Sequence, residues 1–390
     1  MPSKKISMHH QISNKVKLTL LLLSMLTVMS NAAIVTSLPH LGDHFKHIAN
    51  IELLSRFMIT LPSLAIAILA PIIGIVIYKT SVVKSASIGL IIFAIAGSAG
   101  LYLGDIYNLL LSRVFLGIAI AILMIVGTTL IGSYFEGQDR HKFMGLQSAF
   151  ISIGGIFFIT SGGILSDIDW RFPFGIYLIG LFILPFVLLF LKEPTIHQNN
   201  ENENIKITGN LKIIYFLAFL MMMVFYTLPT QMPFLMINHF GASGTLTGFL
   251  ISSAMASNAI GALAFSKLKK RFDYKTIYMI GFLILAIGFI AIGNINNVYL
   301  FFATSPIMGF GGGIVMTTTT AWMLHIAHHT KRTKASGYLT SSIYAGQFSS
   351  PLVFHPFVDT LGLQNFFIGL GVSIIIILIM SYFLVFKKQP

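Results

Sequence analysis

The 390-residue chain contains no cysteine, so it can form neither disulfide bonds nor thiolate metal sites. Charged residues are scarce as well: Asp, Glu, Lys and Arg make up 9% of the chain, and only 12 of them are acidic. The sequence has no Gly-Lys-Ser/Thr phosphate loop, no nucleophile elbow and no His-Glu-x-x-His zinc motif. These absences argue against ATP hydrolysis and against the common hydrolytic active sites, so we do not expect an enzyme.

Long apolar stretches dominate instead. Apolar residues make up 55% of the chain and the mean hydropathy is +0.85, which is typical of an integral membrane protein. Two uncharged stretches, 213–266 and 276–330, have double length, and the polar breaks "NHFGASGT" and "GNINN" divide each into a helical hairpin. Eight further uncharged stretches are each long enough for the roughly 20 residues that cross a hydrocarbon core: 18–42, 57–78, 85–104, 114–135, 143–166, 172–191, 335–358 and 360–386. The sequence therefore predicts an all-α integral membrane protein with twelve transmembrane helices.

Lysine and arginine predict the orientation, because positively charged loops stay in the cytoplasm. With a cytoplasmic N-terminus, 21 of the 25 Lys and Arg residues fall in the tails and cytoplasmic loops. Lys46 and Arg171 fall in outer loops, whereas Arg56 and Arg113 lie within predicted helices. We therefore interpret the formal net charge of +13 as a topology signal and expect no nucleic-acid partner.

The chain also contains an internal repeat. Matching residues recur at an offset of 192, among them Gly89 and Gly281, Gly117 and Gly309, Arg140 and Arg332, Asp167 and Asp359, and Phe174 and Phe366. The predicted organisation is a cytoplasmic tail (1–16), a six-helix bundle (17–192), an Asn-rich cytoplasmic linker (193–210), a second six-helix bundle (211–386) and a short tail (387–390). Two such pseudo-symmetric halves are expected to form a substrate site at their interface and to give alternating access by rocking.

Several motifs resemble those of the major facilitator superfamily. They are "SRVFLGIAIA" in the fourth helix, "DRHKFMG" in the following loop, "SGGILSDIDWRFPF" between the fifth and sixth helices, "ASGYLTSSIYAGQFSSPL" in the eleventh and "NAAIVTSLP" in the first. The set is similar to that of the twelve-helix drug:proton antiporter-like exporters. This resemblance implies a secondary transporter of the cell inner membrane that exports a drug-like or amphipathic small molecule in exchange for protons. It implies no cofactor beyond the proton gradient, and we expect a monomer.

The loop between the second and third helices departs from the family motif. "GIVIYKTSVVK" keeps Gly74, Lys79 and Lys84 but has Tyr78 where the family carries an aspartate. The fifth helix lacks the Gly-Pro pair that is typical of antiporters. The resemblance still makes Gly74, Lys79 and Lys84, together with Arg140 and Arg332, candidates for conformational gate loops.

Arg113 is the charge that most needs an explanation. An unpaired charge in hydrocarbon costs at least about 2.5 to 3.5 kcal/mol. We therefore expect Arg113 either to reach outward to the interface or pack against helix one for assembly, or to line the cavity and take part in coupling or substrate binding. None of the 12 acidic residues lies deep in a predicted helix, and therefore no buried carboxylate partner is evident.

Three interpretations remain open. Glu52 or Asp105 could carry protons and pair with Arg56 or Arg113; Glu52 and Arg56 are four residues apart and share a helix face. Alternatively, the arginines could attract an anionic metabolite or a metal-chelating small molecule. The protein could also be a facilitator that needs no proton. We favour the first interpretation.

Other polar and aromatic residues of the predicted helices are candidates to line the substrate cavity: Asn31, Tyr226, Gln231, Asn258, Trp322, Tyr344 and Gln347. The histidines His325 and His355 are expected to pack at interfaces, and no metal site is expected. The stretch "GFGGGIVMTTTT", residues 309–320, predicts close helix packing by its glycines and hydrogen bonds from its threonines to their own helix backbone.

Overall fold

A computed structural model describes residues 12–193, 209–328 and 332–386, and within these ranges the secondary structure is entirely helical. Both chain ends and most of the predicted linker, at 1–11, 194–208 and 387–390, lie outside the described residues. The twelve long helices are α1 (Asn14–Ala32), α2 (Ile51–Lys79), α3 (Val82–Gly97), α4 (Ile106–Tyr134), α5 (Gly137–Ser166), α6 (Ile179–Phe190), α7 (Gly209–Phe225), α8 (Gly244–Leu268), α9 (Tyr274–Gly293), α10 (Phe301–Ile326), α11 (Arg332–Leu361) and α12 (Leu363–Phe386).

Shorter helical segments extend several of these helices. A 3₁₀ turn (Val35–Ser37) and a short helix (Leu38–His44) follow α1, and 3₁₀ segments follow α3 (Ser98–Leu101), precede α6 (Phe172–Leu178) and precede α10 (Val298–Leu300). Helix α7 continues into Thr227–Phe234 and a π-helical end, Leu235–His239. Helix boundaries thus occur at both polar breaks, as predicted.

The bundle presents an apolar surface. Ten helical stretches of the described chain are long and apolar enough to cross a membrane, and α1 and α11 complete the twelve with more polar sequences. Large apolar side chains are exposed on the outside, for example Leu189 (75%), Leu263 (75%) and Phe182 (74%). In a bilayer such side chains contact the lipid tails. Because no water is present there, the backbone N–H and C=O groups form their hydrogen bonds within the helices. The predicted fold class is confirmed.

Each half has the same internal packing. Helix α1 packs on α5 and α2 on α4 in the first half, and correspondingly α7 packs on α11 and α8 on α10 in the second. The two most extensive contacts between the halves are those of α2 with α11 and of α5 with α8. This arrangement leaves a space between the halves whose two entrances lie at opposite membrane faces.

The glycine-rich stretch in α10 packs as the sequence predicts. A Cβ at Gly313 would lie 1.9 Å from the carbonyl oxygen of Asn258 in α8, so only glycine permits this approach. Further along, Thr318, Thr319 and Thr320 donate to the carbonyl oxygens four residues earlier. Both parts of the prediction for residues 309–320 are confirmed.

The halves meet tightly at one membrane face and are apart at the other. We call the face where α1 begins and α12 ends the terminal face. Near the opposite face, a Cβ at Gly163 of α5 would lie 2.5 Å from the carbonyl oxygen of Gly244 in α8. Near the terminal face, a Cβ at Gly145 of α5 or Gly337 of α11 would meet no atom within 4 Å. We interpret these contacts as a space between the halves that is closed at the opposite face and open at the terminal face.

Arg113 of α4 is bound by the end of α3. Its side chain is completely buried, and Nη2 donates to the carbonyl oxygens of Ala96 (2.6 Å) and Gly97 (2.9 Å). Helix α3 changes to a 3₁₀ segment after these residues, and carbonyl groups at a helix C-terminus carry partial negative charge. The rings of Phe174 and Tyr177 lie 5.1 Å and 5.5 Å from the guanidinium carbon. Backbone, hydroxyl and aromatic groups of the first half thus surround the guanidinium, although Nη1 itself is buried without a hydrogen-bond partner among the described residues.

We predict that Arg113→Ala lowers the thermal stability of the purified protein. The substitution leaves the buried carbonyl groups of Ala96 and Gly97 without this donor, at about 1–3 kcal/mol for each unsatisfied group. Thermal unfolding in detergent measures the effect. Lys142→Ala is the control, because its exposed ammonium lies 3.8 Å from exposed Asp139 and should matter by no more than about 0.5 kcal/mol. Loss of transport at unchanged thermal stability would contradict this structural role.

Candidate functional site

A polar cluster joins the halves near the closed face, and it begins with Arg56 of α2. Helix α2 starts after Asn50, whose φ of 58° turns the chain sharply. Glu52 lies in the first turn, where a negative charge suits the helix dipole. Its carboxylate accepts a hydrogen bond from Arg56 Nη1 at 3.2 Å, the predicted pairing four residues apart. The Arg56 side chain itself is fully buried.

The second half supplies further contacts to this guanidinium. Arg56 Nε donates to Oε1 of Gln231 at 3.0 Å, and the ring of Phe234 lies 4.1 Å from the guanidinium carbon. Both residues belong to the irregular end of α7, where the helix is interrupted at Tyr226 and contains Pro229 and Pro233. Proline removes a helix hydrogen bond and commonly bends a helix. This local irregularity brings Gln231 to the interface.

Helix α11 completes the cluster with two residues that sequence reasoning did not assign to it. His355 Nδ1 lies 3.3 Å from Asp359 Oδ1, again four residues apart. Ligand atoms of Glu52, His355 and Asp359 all lie within 4.8 Å of one another. We call Glu52, Arg56, Gln231, His355 and Asp359 the cross-half cluster. The i,i+4 spacing of His355 and Asp359 was the available signal, but only the fold brings α11 beside α2.

The cross-half cluster contains three groups that gain or lose protons, one permanent cation and one amide. Its carboxylates are accessible: the side chains of Glu52 and Asp359 are each 57% exposed, whereas Arg56 is 1% exposed. The three acidic and imidazole groups have the right chemistry for a cation, but Arg56 already supplies a positive charge at Glu52. The arrangement is therefore suited to proton exchange at the closed face.

A second group of contacts between the halves lies between the cross-half cluster and the membrane midplane. Ser63 of α2 donates to Oε1 of Gln347 of α11 at 2.7 Å. Tyr344 donates to the sulfur of Met124 at 3.3 Å. These contacts place two further predicted site residues, Gln347 and Tyr344, between the halves.

Asn31 and Tyr226 come from the corresponding first helices of the two halves. Their side chains interact, and the hydroxyl of Tyr226 is completely buried. The structure therefore brings together Glu52, Arg56 and Gln231, and places Asn31, Tyr226, Tyr344 and Gln347 at the half interface.

Four candidates lie elsewhere. Asp105 accepts from the backbone N–H of Asn108 and caps α4. Asn258 covers Gly312 of α10 within the second half. Trp322 stacks on Tyr274 with a centroid distance of 6.3 Å. Arg113 lies within the first half, as described above, and a direct role of these four residues in transport stays a prediction.

The loop after α2 is held by an acidic residue from the end of the first half. The Glu193 carboxylate accepts from the hydroxyl of Ser81 and from the backbone N–H groups of Val82 and Val83 at the start of α3. Slight burial raises the pKa of Glu193, but these hydrogen bonds lower it further, so its pKa lies below the ordinary value. A distant carboxylate thus occupies the loop in which Tyr78 replaces the expected aspartate.

The remaining gate-loop candidates have structural contacts of their own. Lys84 donates its backbone N–H to Ser81. Arg140 donates to the carbonyl oxygens of Phe135 and Gly132 and so binds the end of α4. Gly74 packs toward Ile125 of α4, and Arg332 begins α11. The side chain of Lys79 lies outside the described structure, and gating by these five residues stays a prediction.

Comparisons with known proteins place this arrangement in a family. An uncharacterized MFS-type transporter of Methanocaldococcus jannaschii is 24% identical over 296 residues, which are 72% of this chain and 76% of that protein. Multidrug resistance protein 2 of Bacillus subtilis is 26% identical over 124 residues, 32% of this chain and 30% of that protein. Among solved structures, a bacterial homologue of the human lysosomal transporter Spinster, in an inward-facing and occupied conformation, superposes with a TM-score of 0.79 at 18% identity. The match covers 96% of this chain and 97% of that one.

A sequence model of the Major Facilitator Superfamily matches the chain twice, at residues 20–214 and 214–390. The two matches together span nearly the whole sequence and agree with the two six-helix halves of the structure. The chain therefore belongs to the major facilitator superfamily of membrane transporters.

Proposed function

We propose that this transporter exports small drug-like or amphipathic compounds in exchange for protons. The observation that carries the proposal is the cross-half cluster, in which titratable side chains from both halves meet at the closed face. Transporters of this architecture move substrate by opening one face while closing the other. A proton site on the seam between the halves is well placed to bias that movement.

The proposal takes the terminal face as cytoplasmic, because most lysines and arginines lie in its loops. The closed face is then the outer face of the cell inner membrane, with both termini in the cytoplasm and the protein acting as a monomer. The similarity to an inward-facing solved structure supports the same orientation. No cofactor other than the proton gradient is required.

Electrostatics links proton binding to closure of the outer face. Closure brings the carboxylates of Glu52 and Asp359, from different halves, to within 4.8 Å, and like charges at this separation repel. Arg56 compensates one negative charge, and a proton bound to Glu52, His355 or Asp359 compensates the other. Because both carboxylates are more than half exposed, they can take that proton from the outer solution. Proton binding thereby favours the return to the inward-facing state, the step that an antiporter requires.

The groups between the cross-half cluster and the midplane suit an amphipathic substrate. Phe57 and Phe348 stack across the halves with a centroid distance of 5.8 Å, and Met124 touches Tyr344. Methionine and aromatic side chains adapt to apolar groups of varied shape, while the buried hydroxyl and amide groups of Tyr226 and Gln347 offer hydrogen bonds. The similarity to a protein named for multidrug resistance supports export.

An anionic metabolite or a metal-chelating small molecule is the alternative substrate. It would require arginines that are free to bind it. Arg56 already bonds Glu52 and Gln231, and Arg113 already bonds the end of α3. Neither guanidinium presents an uncompensated charge to the space between the halves, and we therefore favour the amphipathic substrate.

Transport in proteoliposomes containing a pH-sensitive dye tests the proposal. We predict that a cationic or neutral amphipathic compound drives proton movement through the wild-type protein. Glu52→Gln and Asp359→Asn should each lower the coupled proton flux by about 5- to 150-fold, the usual range of a coupling energy between two sites. Substrate binding in detergent should change much less, because neither carboxylate faces the midplane layer.

Asp43→Asn is the matched control, because Asp43 is an exposed acid on the same face, in the short helix Leu38–His44 that follows α1. It should leave proton flux unchanged. Uptake of organic anions alone, without proton movement, would overturn the exporter and establish the alternative substrate. Undiminished proton coupling in both Glu52→Gln and Asp359→Asn would show that the cross-half cluster does not couple protons to transport.

A second prediction concerns closure of the seam between α5 and α8. The hydroxyl oxygens of Thr160 and Ser252 lie 3.1 Å apart across the halves, and the chain has no native cysteine. Thr160→Cys combined with Ser252→Cys should form a disulfide bond on mild oxidation and hold the outer face shut. Transport should fall to the level of protein-free liposomes and return on reduction.

Each single cysteine variant controls for the substitutions, and both should transport with and without oxidant. Gel mobility after protease cleavage between the halves measures the cross-linked fraction. Unimpaired transport by the fully cross-linked protein would show that this seam does not open during the cycle.

A further inference from the structure

The second half contains a large apolar space that is distinct from the cross-half cluster. A cavity of about 770 Å³ lies between α7, α9, α11 and α12, a volume within the usual range for ligand sites. It runs along α12 from Phe366 to Ser381, which is about 22 Å of helix at 1.5 Å per residue. We call this space the α12 slot. Its length is most of the thickness of a hydrocarbon core.

The α12 slot opens toward the lipid. Several residues that line it are exposed on the apolar outside of the bundle, including Ile377 (63%), Ile213 (56%) and Phe357 (54%). Others are buried at its back, including Phe366 (3%) and Ile374 (6%). A chain-like apolar molecule can therefore enter sideways from the bilayer.

The 192-residue repeat relates residues that line the α12 slot to residues of the first half. Phe366 corresponds to Phe174, and both are buried. Gly369, however, corresponds to Tyr177, whose ring is completely buried beside Arg113. A Cβ at Gly369 would meet no atom within 4 Å. Replacement of a large aromatic residue by glycine thus accompanies the open space.

One charged residue lines the α12 slot, and it lies at the terminal-face end. Lys275 is exposed at the start of α9, and within the described chain no acidic side chain approaches its ammonium to within 4 Å. The neighbouring Asp273 is engaged by Thr276 at the helix N-terminus. Lys275 and Asp273 still attract each other at longer range, but an exposed cation at the headgroup level that forms no such close ion pair favours an anionic headgroup.

We propose that the α12 slot binds one acyl chain of an anionic bilayer phospholipid, with its headgroup at Lys275. The apolar length accepts the chain, and the lateral opening lets the second chain remain in the bilayer. The open side and the single terminal cation distinguish this occupant from a compound that enters through the space between the halves. The site does not depend on the direction of transport or on proton coupling.

Tryptophan fluorescence provides a direct test, because one of the two tryptophans, Trp322, lines the α12 slot. The test uses Trp170→Phe protein in phosphatidylcholine vesicles that contain brominated phosphatidylglycerol or brominated phosphatidylcholine as a minor component. Bromine quenches tryptophan at contact. We predict that half-maximal quenching of Trp322 needs about fivefold less of the anionic lipid than of the zwitterionic one.

Two variants test the contacts separately. Lys275→Gln should abolish the preference for phosphatidylglycerol, and Gly369→Phe should reduce quenching by both lipids because its ring fills the slot. If Gly369→Phe does not fold, Gly369→Leu fills the slot with a smaller side chain. Lys275→Gln changes an exposed residue and still tests the headgroup contact. The matched controls are Val372→Phe, at a 41% exposed position of α12 outside the slot, and a Trp322→Phe protein that retains Trp170.

Equal quenching by the two lipids, unaffected by Lys275→Gln, would overturn the assignment. Trp322 would then be in contact only with bulk lipid of the bilayer. Relief of quenching by a transported amphipathic compound, without any lipid preference, would also overturn it and make the slot a substrate site. The measurement needs no gradient, so its failure is distinguishable from failure of the proposed antiport.

Discussion

Hydrocarbon does not hydrate charge, so the structure depends on the groups that contact the guanidinium ions of its two buried arginines. Arg113 bonds backbone carbonyl groups at the end of α3, and all of its contacts lie within one half. Arg56 bonds Glu52 on its own helix and Gln231 on the other half. The first arginine therefore stabilises a bundle that stays assembled, whereas the second lies on a seam that must separate during transport.

The two seams between the halves are built differently, although the repeat relates them. Arg56 of α2 corresponds to Gly248 of α8 at the offset of 192 residues. Gly248 allows α8 to pack against the backbone of α5, where a Cβ would lie 2.9 Å from the carbonyl oxygen of Ile159. Asp167, directly after the end of α5, accepts from the backbone N–H of Thr245 at 2.9 Å, while its repeat partner Asp359 faces His355. One seam is a close backbone contact with a single carboxylate at its end, and the other carries Glu52, His355 and Asp359 together.

The sequence predicts much of the fold because hydrocarbon thickness and helix geometry constrain it locally. Twelve apolar stretches, the glycines of α10 and the Glu52–Arg56 pair all follow from spacing along one helix. The partner of Arg113 could not be found in this way, because a search for acidic side chains cannot detect backbone carbonyl groups. His355 and Asp359 join Glu52 only through the packing of α11 on α2, which depends on the tertiary fold.

The distribution of charge also explains how the closed face can open with a small cost in electrostatic free energy. When α2 and α11 separate, Arg56 stays beside Glu52 and His355 stays beside Asp359, because the members of each pair lie four residues apart on the same helix. The direct hydrogen bond that breaks here joins Arg56 to the neutral amide of Gln231. Glu52 and Asp359 are already 57% exposed, so water can hydrate both carboxylates in either state. Opening therefore separates no buried ion pair, and under the proposed antiport the remaining bias between the two states comes from the bound proton.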